Sequence, residues 1–157
     1  MTVQLARRPT RTSTAPSMAS RRVFGDTSFF FALVAKRDPA HRPAVIAYEK
    51  LLRAGARVVT TDYVVDETLT LTKARIDART SLSLLDRMER SESIDLELLT
   101  SERFLASKQY FRKHSDHGYS FTDCTSFVVM GDLEISAALT TDRHFKEAGY
   151  EVLLPTA

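Results

Sequence analysis

The sequence predicts an α/β sandwich with a mainly parallel central sheet. Short apolar runs alternate with segments of helical period along most of the chain, an order typical of strands joined by helices. Aspartates follow the first and the fourth of the predicted strands. Since ligands of parallel sheets bind at the carboxyl ends of the strands, these aspartates predict a functional site at that edge. The 157 residues are enough for one domain with a sizeable core.

Five strands are predicted from short apolar runs. In chain order they are residues 23–25, 57–61, 94–99, 137–141 and 150–154. The third, IDLELL, alternates apolar and acidic residues, which is the pattern of a half-buried strand. Gly55 and Gly149 are each expected to end the helix that precedes the next strand.

Helices fill the intervals between these strands. They are predicted at residues 28–35, from about 39 to about 54, and at 63–76, 80–90, 102–114, 121–133 and 145–147. Two prolines lie near the start of the second helix, where proline is tolerated. Asp62 is the expected N-cap of the third helix. Leu82, Leu85 and Met88 lie at helical spacing in the fourth.

Positive charge is concentrated in residues 1–22. This segment has five arginines and no acidic residue, which leaves 17 basic and 20 acidic residues, a net charge of about −3, for residues 23–157. The overall charge of +2 therefore says little about nucleic-acid binding by the folded part. Because residues 1–22 are rich in Ser, Thr, Arg and Pro, we expect a disordered tail without function, followed by one domain at 23–157. The alternatives are an arm that contacts RNA phosphates and an extension upstream of a start at Met18.

Cysteine and histidine are used sparingly. The single cysteine excludes a disulfide within the chain and fits a reducing compartment, so we expect a cytoplasmic protein. No apolar run approaches the length of a membrane span, so no membrane association is expected. The four histidines are scattered along the chain without the spacing of a zinc site.

Four acidic residues lie where the predicted architecture would bring them together. They are Asp26 after the first strand, Glu67 in the helix after the second, Asp123 in the first turn of its helix and Asp142 after the fourth strand. Each has an alternative explanation. Asp26 and Asp142 can cap the helices that follow, Asp123 fits the capping box S-F-T-D, and Glu67 can be a solvated helix residue.

Gathered at one edge of the sheet, four ionised carboxylates would repel one another unless a cation lies between them. Hard oxygen ligands suit Mg²⁺ or Mn²⁺, with water completing the coordination. A metal site made of acids alone indicates phosphoryl transfer, in which the ion activates water and stabilises the departing oxygen. The grouping therefore favours an enzyme of phosphoryl transfer, and a protein-binding α/β module without catalysis stays open as an alternative.

Four segments resemble the PIN domain, and the resemblance is closest to the VapC-type ribonuclease toxins of prokaryotic toxin–antitoxin pairs. The segments are DTSFFFALV, VVDETLTL, YSFTDCTSFVVM and ALTTDRHFKEAGYEVL, in the family's order within residues 23–154. The patterns S-F-x-D-C-x-S-F and L-T-x-D-x-H-F are together fairly specific, whereas D-T-S alone is weak. Gly25 departs from the family pattern, because a β-branched residue is more usual there, but none of the acids is missing.

The resemblance implies a three-layer α/β/α sandwich with a parallel sheet and an acidic site that binds Mg²⁺ or Mn²⁺. The implied metal ligands and catalytic residues are Asp26, Glu67, Asp123 and Asp142. Thr27 or Ser28 matches the hydroxyl that holds a metal-bound water, and Thr141 matches a position at the edge of the site. Arg143 and Arg112 are candidates for contacts to RNA phosphates.

The implied activity is the endonucleolytic hydrolysis of RNA phosphodiester bonds, which leaves 5′-phosphate and 3′-hydroxyl ends. A toxin implies a cognate antitoxin, which would cover the acids with a basic side chain, and homodimerisation is also implied. A PIN nuclease of RNA maturation stays open as an alternative. A phosphatase of the haloacid-dehalogenase type is disfavoured, because Ser28 stands where that family has its second aspartate.

Overall fold

Five short strands form the centre of the molecule in the computed structural model, which describes residues 21–156. In chain order they are β1 (Arg22–Gly25), β2 (Arg57–Thr61), β3 (Ile94–Glu97), β4 (Ala137–Leu139) and β5 (Glu151–Val152). Every strand pair is parallel, and the order across the sheet is β3-β2-β1-β4-β5. The strand order reverses between β1 and β4, so the carboxyl ends of these two strands flank the switch point at which α/β sheets bind ligands.

Seven helices connect the strands within the described part of the chain. They are α1 (Thr27–Val34), α2 (His41–Arg53), α3 (Asp62–Arg75), α4 (Ala78–Arg90), α5 (Ser101–Lys113), α6 (Phe121–Asp132) and α7 (Arg143–Glu147). Consecutive residues of β1 and β4 are buried, so both faces of the central strands are covered. The predicted three-layer sandwich with a parallel sheet is confirmed. None of these helices is long and apolar enough to cross a membrane.

The predicted element boundaries agree with the structure to within about two residues, and two of the differences are informative. The first concerns Asp62, which is not the N-cap of α3. Thr61 takes that position, and its hydroxyl accepts a hydrogen bond from the amide of Val64 at 3.2 Å. The Asp62 carboxylate instead accepts the amide of Leu99 at 3.0 Å. It therefore fixes the chain after β3 to the start of α3.

The second difference is the end of β4, which lies at Leu139 in the structure and at residue 141 in the prediction. The amide of Thr141 donates to Ser28 Oγ at 3.0 Å, and the amide of Asp142 donates to Thr140 Oγ1 at 3.0 Å. Because these amides bond to side chains, they cannot continue the ladder of the sheet. The strand prediction was too long here, since TTD belongs to the site and not to the strand.

The predicted tail of residues 1–22 lies almost wholly outside the described residues. Only Arg21 and Arg22 are described, and Arg22 is the first residue of β1. The guanidinium of Arg21 lies 3.2 Å from Glu151, the first residue of β5. These two arginines therefore belong to the folded domain.

Gly25 ends β1 in a space too small for a side chain. A Cβ at this position would lie 2.7 Å from Val58 Cγ1 and 2.9 Å from ring atoms of Phe30. Both neighbours are almost completely buried, so neither has room to move. The departure from the family pattern at Gly25 is therefore explained by packing.

The Gly25→Ala substitution is expected to lower the free energy of unfolding by roughly 1–3 kcal/mol through overpacking. Gly131 in α6 is a matched control, because nothing lies within 4 Å of a Cβ there. Gly131→Ala should raise stability by about 0.5–1 kcal/mol, as alanine replaces glycine inside a helix. Urea unfolding of the three proteins tests this, and equal effects of the two substitutions would contradict the packing explanation.

Candidate metal centre

Asp26 lies directly after β1 and is only 5% exposed. Its amide donates to the carbonyl of Leu139 at 3.1 Å, which places the residue at the shared end of β1 and β4. Its Oδ2 atom accepts hydrogen bonds from Thr140 Oγ1 at 2.8 Å and Ser28 Oγ at 3.3 Å. Although Asp26 precedes α1, its side chain makes no capping hydrogen bond. Asp26 therefore occupies the N-cap position of α1, but side-chain capping does not account for its buried carboxylate.

The environment of Asp26 disfavours its charged form. Burial raises the pKa of this carboxyl from 3.8 to about 7, and the charges of Asp123 and Asp142 add to the rise. Hydrogen bonds from the Thr140 hydroxyl and the Thr27 amide act in the opposite direction. Asp26 is thus a buried acid that needs a further positive charge to be fully ionised at neutral pH.

Asp123 combines a capping role with a place in the site. Its amide donates to Ser120 Oγ at 3.0 Å, and its Oδ2 atom accepts the Ser120 amide at 2.9 Å, which completes the predicted capping box. The residue is 7% exposed, and burial raises its pKa, with the charge of Asp142 as a smaller cause in the same direction. The cap fixes the carboxylate at the start of α6, facing the groups that follow β4.

Asp142 is the N-cap of α7, where its Oδ1 atom accepts the amide of His144 at 2.9 Å. Its capping explanation is therefore also correct. At both Asp123 and Asp142, capping coexists with a place in the acidic group, because the N-terminus of a helix holds the carboxylate in a fixed direction.

His144 is the site residue that sequence reasoning missed. Its Nδ1 atom lies 3.3 Å from Asp123 Oδ2 and 3.4 Å from Asp142 Oδ1. One ligand atom from each of Asp123, Asp142 and His144 lies within 4.8 Å of the others. The available signal was the pattern L-T-x-D-x-H-F, in which His144 follows Asp142 by two residues. The spacing typical of zinc sites does not reveal it, because its partner Asp123 is distant in the sequence.

Hydroxyl groups of α1 and of the segment after β4 surround Asp26. Ser28, one of the two hydroxyl residues predicted to lie at the site, donates to the Asp26 carboxylate at 3.3 Å. At the end of β4 it is Thr140, and not Thr141, whose hydroxyl reaches Asp26, while Thr141 contributes its backbone amide. Thr27 Oγ1 is buried and has no hydrogen-bond partner among the described residues. An unpaired buried hydroxyl beside Asp26 fits a site that accepts water or a ligand.

Glu67 lies on α3 and is exposed. It is not part of the group formed by Asp123, Asp142 and His144. It follows Tyr63 by one helical turn, and the Tyr63 ring lies 6.1 Å from the ring of Phe121, the first residue of α6. Glu67 therefore shares a face of α3 with Tyr63, whose ring lies against the start of α6, and the structure does not bring it into the group of Asp123, Asp142 and His144.

Cys124 is not a reactive group of this site. It is completely buried, and burial together with the charge of Asp123 raises the pKa of its thiol to about 11. A thiol at neutral pH is a poor nucleophile and a poor ligand. Its place next to Asp123 is that of a small core residue.

The residues that are present fit a divalent cation. Carboxylate oxygens of Asp123 and Asp142 and a nitrogen of His144 offer three ligand atoms, and the buried carboxyl of Asp26 lies near enough to interact with both aspartates. No lysine or arginine makes an ion pair with these aspartates within residues 21–156. A cation bound between them would supply the missing positive charge.

A parallel α/β sandwich with carboxylates gathered at the switch point is the arrangement of a metal-binding α/β domain. Comparisons with known proteins show which family of such domains the chain belongs to. The PIN domain model matches residues 23–150, so the chain belongs to the PIN domain family. It is similar to the 23S rRNA-specific endonuclease VapC20 of Mycobacterium tuberculosis, with 31% identity over 134 residues that cover 85% of this chain and 98% of the relative.

Solved structures agree with this assignment. The crystal structure of M. tuberculosis VapC20, described as a toxin that cleaves the sarcin–ricin loop, matches with a TM-score of 0.75 and 29% identity, covering 85% of this chain and 99% of that one. VapBC2 from Rickettsia felis, solved with a DNA fragment from its promoter, matches with a TM-score of 0.62 and 10% identity over 83% of this chain and 96% of that one. FitAcB from Neisseria gonorrhoeae matches with a TM-score of 0.54 and 16% identity, over 83% of this chain and 95% of that one. The latter two show the fold alone, whereas the first identifies a VapC-like PIN-domain protein.

Proposed function

We propose that this chain is a metal-dependent endoribonuclease and the toxin of a toxin–antitoxin pair. The observation that carries the proposal is the meeting of Asp26, Asp123 and Asp142 at the carboxyl ends of β1 and β4, with the pKa of the first two raised. The similarity to an endonuclease specific for 23S rRNA supports RNA as the substrate. Ribosomal RNA of the large subunit is therefore the first substrate to test.

Each acid has a role in the proposed site. Asp26, Asp123 and Asp142 hold Mg²⁺ or Mn²⁺, and Glu67 reaches the same edge from α3. The ion, when bound, lowers the pKa of water and stabilises charge on the departing oxygen. The Thr140 and Ser28 hydroxyls orient the Asp26 carboxylate, and the unpaired Thr27 hydroxyl is available to hold water.

RNA phosphates need cationic partners at the rim of an acidic site. Arg143 follows Asp142 directly, and its side chain is 74% exposed, with only Glu147 at 3.5 Å. A pair this exposed contributes little, so the guanidinium is free to exchange Glu147 for a phosphate. Arg143 is therefore the proposed phosphate contact next to the acids.

The activity is tested with the purified full chain and three RNA substrates: intact ribosomes, deproteinised ribosomal RNA and a random RNA pool. Each is incubated with Mg²⁺, with Mn²⁺ and with EDTA. We expect discrete cuts with 5′-phosphate and 3′-hydroxyl ends in the presence of either ion and none in EDTA. Metal-independent cutting, or cyclic phosphate ends, would contradict the proposed chemistry.

The Glu67→Gln substitution is expected to lower RNA cleavage by roughly 10- to 100-fold without changing stability, since Glu67 is exposed. Asp66→Asn is the matched control, because Asp66 is an equally exposed acid at the neighbouring position of α3. Cleavage rates under saturating Mn²⁺ compare the two variants. If Glu67→Gln cleaves as fast as Asp66→Asn, Glu67 has no part in the site.

An antitoxin partner follows from the same proposal. The acidic group can be neutralised by an arginine as well as by a metal ion, so an antitoxin that inserts a basic side chain would block the site. A complex of this kind should compete with Mn²⁺. Titration of Mn²⁺ into the free chain and into the complex measures this competition, and identical affinities would exclude blockage of the metal site.

A second copy of the chain is the proposed occupant of an apolar face on the β3 edge. Five large side chains that are more than a third exposed lie on or near β3 and α5: Leu96, Leu98, Phe104, Leu105 and Phe111. Exposed apolar groups in this number are typical of protein interfaces. Light scattering should give twice the chain mass of 17.7 kDa, and a monomer at all concentrations would refute the dimer.

A further inference from the structure

The imidazole of His144 is the part of the acidic edge to which the proposed function gives no role. We infer that His144 is a metal ligand together with Asp123 and Asp142, and that its nitrogen makes the site select Mn²⁺ over Mg²⁺. The inference rests on the proposed function, since it concerns the same metal ion. It adds a nitrogen ligand to a site that the sequence predicts to consist of oxygen ligands alone.

The distances between the three groups suit one ion. His144 Nδ1 lies 3.3 Å from Asp123 Oδ2 and 3.4 Å from Asp142 Oδ1. Ligand atoms bound about 2.1 Å from one ion are about 3.0 Å apart at adjacent octahedral positions and about 3.4 Å apart at tetrahedral positions. The two distances from His144 therefore match those of ligands on one ion, and the two carboxylate oxygens lie within 4.8 Å of each other, so a small approach of the aspartates completes the site.

The surroundings hold the His144 ring in this direction. The ring of Tyr119 packs edge-on against it, with the centroids 5.5 Å apart at 76°. Gly118 lies close to the same ring, since a Cβ there would be 3.2 Å from Nε2 of His144. The lack of a side chain at Gly118 therefore leaves room for the imidazole. The backbone amide of His144 is tied to the Asp142 carboxylate. A side chain held in this way loses little conformational entropy when it binds an ion.

Two neighbouring groups also fit a cation between these side chains. The buried carboxyl of Asp26 interacts with the charges of Asp123 and Asp142, yet no lysine or arginine of the described chain pairs with it. The buried Thr27 hydroxyl next to it has no hydrogen-bond partner in residues 21–156. A bound cation with its water would supply both the charge and the partner.

The nitrogen atom decides which ion the site prefers. Imidazole binds first-row transition ions well, whereas Mg²⁺ favours oxygen ligands and gives up its waters reluctantly. Replacing the nitrogen ligand should therefore weaken Mn²⁺ binding much more than Mg²⁺ binding. We expect His144→Asn, which offers an amide oxygen, to weaken Mn²⁺ about tenfold or more and Mg²⁺ by less than about threefold.

An alternative role for His144 is that of an ion-pair partner of the two aspartates. A protonated imidazole would compete with the metal ion for the same carboxylates. Its removal would then leave Mn²⁺ affinity unchanged or make it tighter. The direction of the change in affinity therefore separates a ligand from a competitor.

The test uses Mn²⁺ alone as the probe, with the wild type, His144→Asn, His144→Phe and His117→Asn. His117 is the matched control, because its ring also packs against Tyr119, with the centroids 4.7 Å apart, but lies outside the ligand group. Calorimetry gives the affinities for Mn²⁺ and Mg²⁺. Pulsed electron paramagnetic resonance detects coupling between bound Mn²⁺ and a ¹⁴N nucleus. Circular dichroism and thermal unfolding show that each variant is folded.

We expect ¹⁴N coupling in the wild type and in His117→Asn and its loss in both His144 variants, with weakened Mn²⁺ binding in those two. Bound Mn²⁺ without ¹⁴N coupling in the wild type would overturn the inference, as would unchanged or tighter Mn²⁺ binding in His144→Phe. RNA cleavage by the wild type is measured in parallel. Metal-dependent cleavage without ¹⁴N coupling refutes only the role of His144, whereas absence of both cleavage and Mn²⁺ binding refutes the proposed function as well.

Discussion

Replacing Asp26 by asparagine is expected to abolish RNA cleavage and, at the same time, to stabilise the metal-free protein at pH 8. Asparagine keeps the shape of the side chain and an oxygen for the Thr140 hydroxyl, but it carries no charge. Loss of an anionic ligand should lower the cleavage rate by roughly 1000-fold or more. The gain in stability follows from the burial of Asp26, which makes its charged form costly.

The pH dependence of stability has a definite direction. The pKa of Asp26 is raised from 3.8 to about 7, so between these values the folded state holds a proton that the unfolded state has lost. The free energy of unfolding therefore falls as pH rises from about 4 to about 7, by roughly 2–4 kcal/mol from this group. Asp26→Asn lacks this contribution, so its free energy of unfolding does not fall in the same way as pH rises. Above pH 7 the variant should be more stable than the wild type.

Urea unfolding in EDTA at several pH values between 5 and 8 measures this difference. Asp86→Asn serves as the control, because Asp86 is an exposed acid on α4 and its replacement should leave the pH profile unchanged. Addition of Mn²⁺ should stabilise the wild type more than Asp26→Asn, which keeps the ligand atoms of Asp123, Asp142 and His144 but lacks the Asp26 charge. Parallel stability profiles for wild type and Asp26→Asn would contradict the raised pKa.

Replacing Thr140 by valine is expected to weaken both the fold and the activity, because one hydroxyl serves several partners. Thr140 Oγ1 donates to Asp26 at 2.8 Å, accepts the amide of Asp142 at 3.0 Å and lies 3.1 Å from Ser28 Oγ. Valine has nearly the same shape, but the buried Asp142 amide loses its acceptor and Asp26 loses the shorter of its hydrogen bonds from hydroxyl groups. The expected loss is about 1–3 kcal/mol of stability.

The effect of Thr140→Val on activity should depend on pH. The Thr140 hydrogen bond lowers the pKa of Asp26, so its loss raises that pKa further. Cleavage at pH 7 should fall roughly tenfold, and part of the loss should be recovered at higher pH. Thr140→Ser keeps the hydroxyl and should behave nearly as the wild type. If Thr140→Ser is as impaired as Thr140→Val, packing and not the hydroxyl is the cause.

Much of the fold was predictable because strands, helices and the residues that end them are local features of the sequence. Gly55 ends α2 with a φ of 69°, and Gly149 follows α7 with a φ of 96°, both in the region that glycine favours. The alternation of short apolar runs with helices then leaves a parallel sheet as the natural outcome. The boundary of β4 was not predictable, since it depends on the hydroxyls of Ser28 and Thr140, which meet only in the folded chain.

The site could be predicted in its acids but not in its other groups. Asp26, Asp123 and Asp142 each stand at a strand or helix end, so topology alone brings them to one edge. Thr140 and His144 are fixed positions of the pattern L-T-x-D-x-H-F, but the pattern does not show what they contact, because their partners Asp26 and Asp123 are distant in the sequence. Of the adjacent threonines 140 and 141, only the first turns its hydroxyl towards Asp26. The backbone after β4 determines which of the two does so.

The most direct test of the metal-dependent ribonuclease is the cleavage of ribosomal RNA by the wild type and by Asp123→Asn, each with Mn²⁺ and with EDTA. Asparagine at this position retains an oxygen for the Ser120 amide, so the capping box and the fold are expected to survive. Asp86→Asn again controls for loss of an acidic residue. We expect cutting by the wild type and the control in Mn²⁺ alone, and none by Asp123→Asn. Equal cutting by wild type and folded Asp123→Asn would contradict the assignment of the active site.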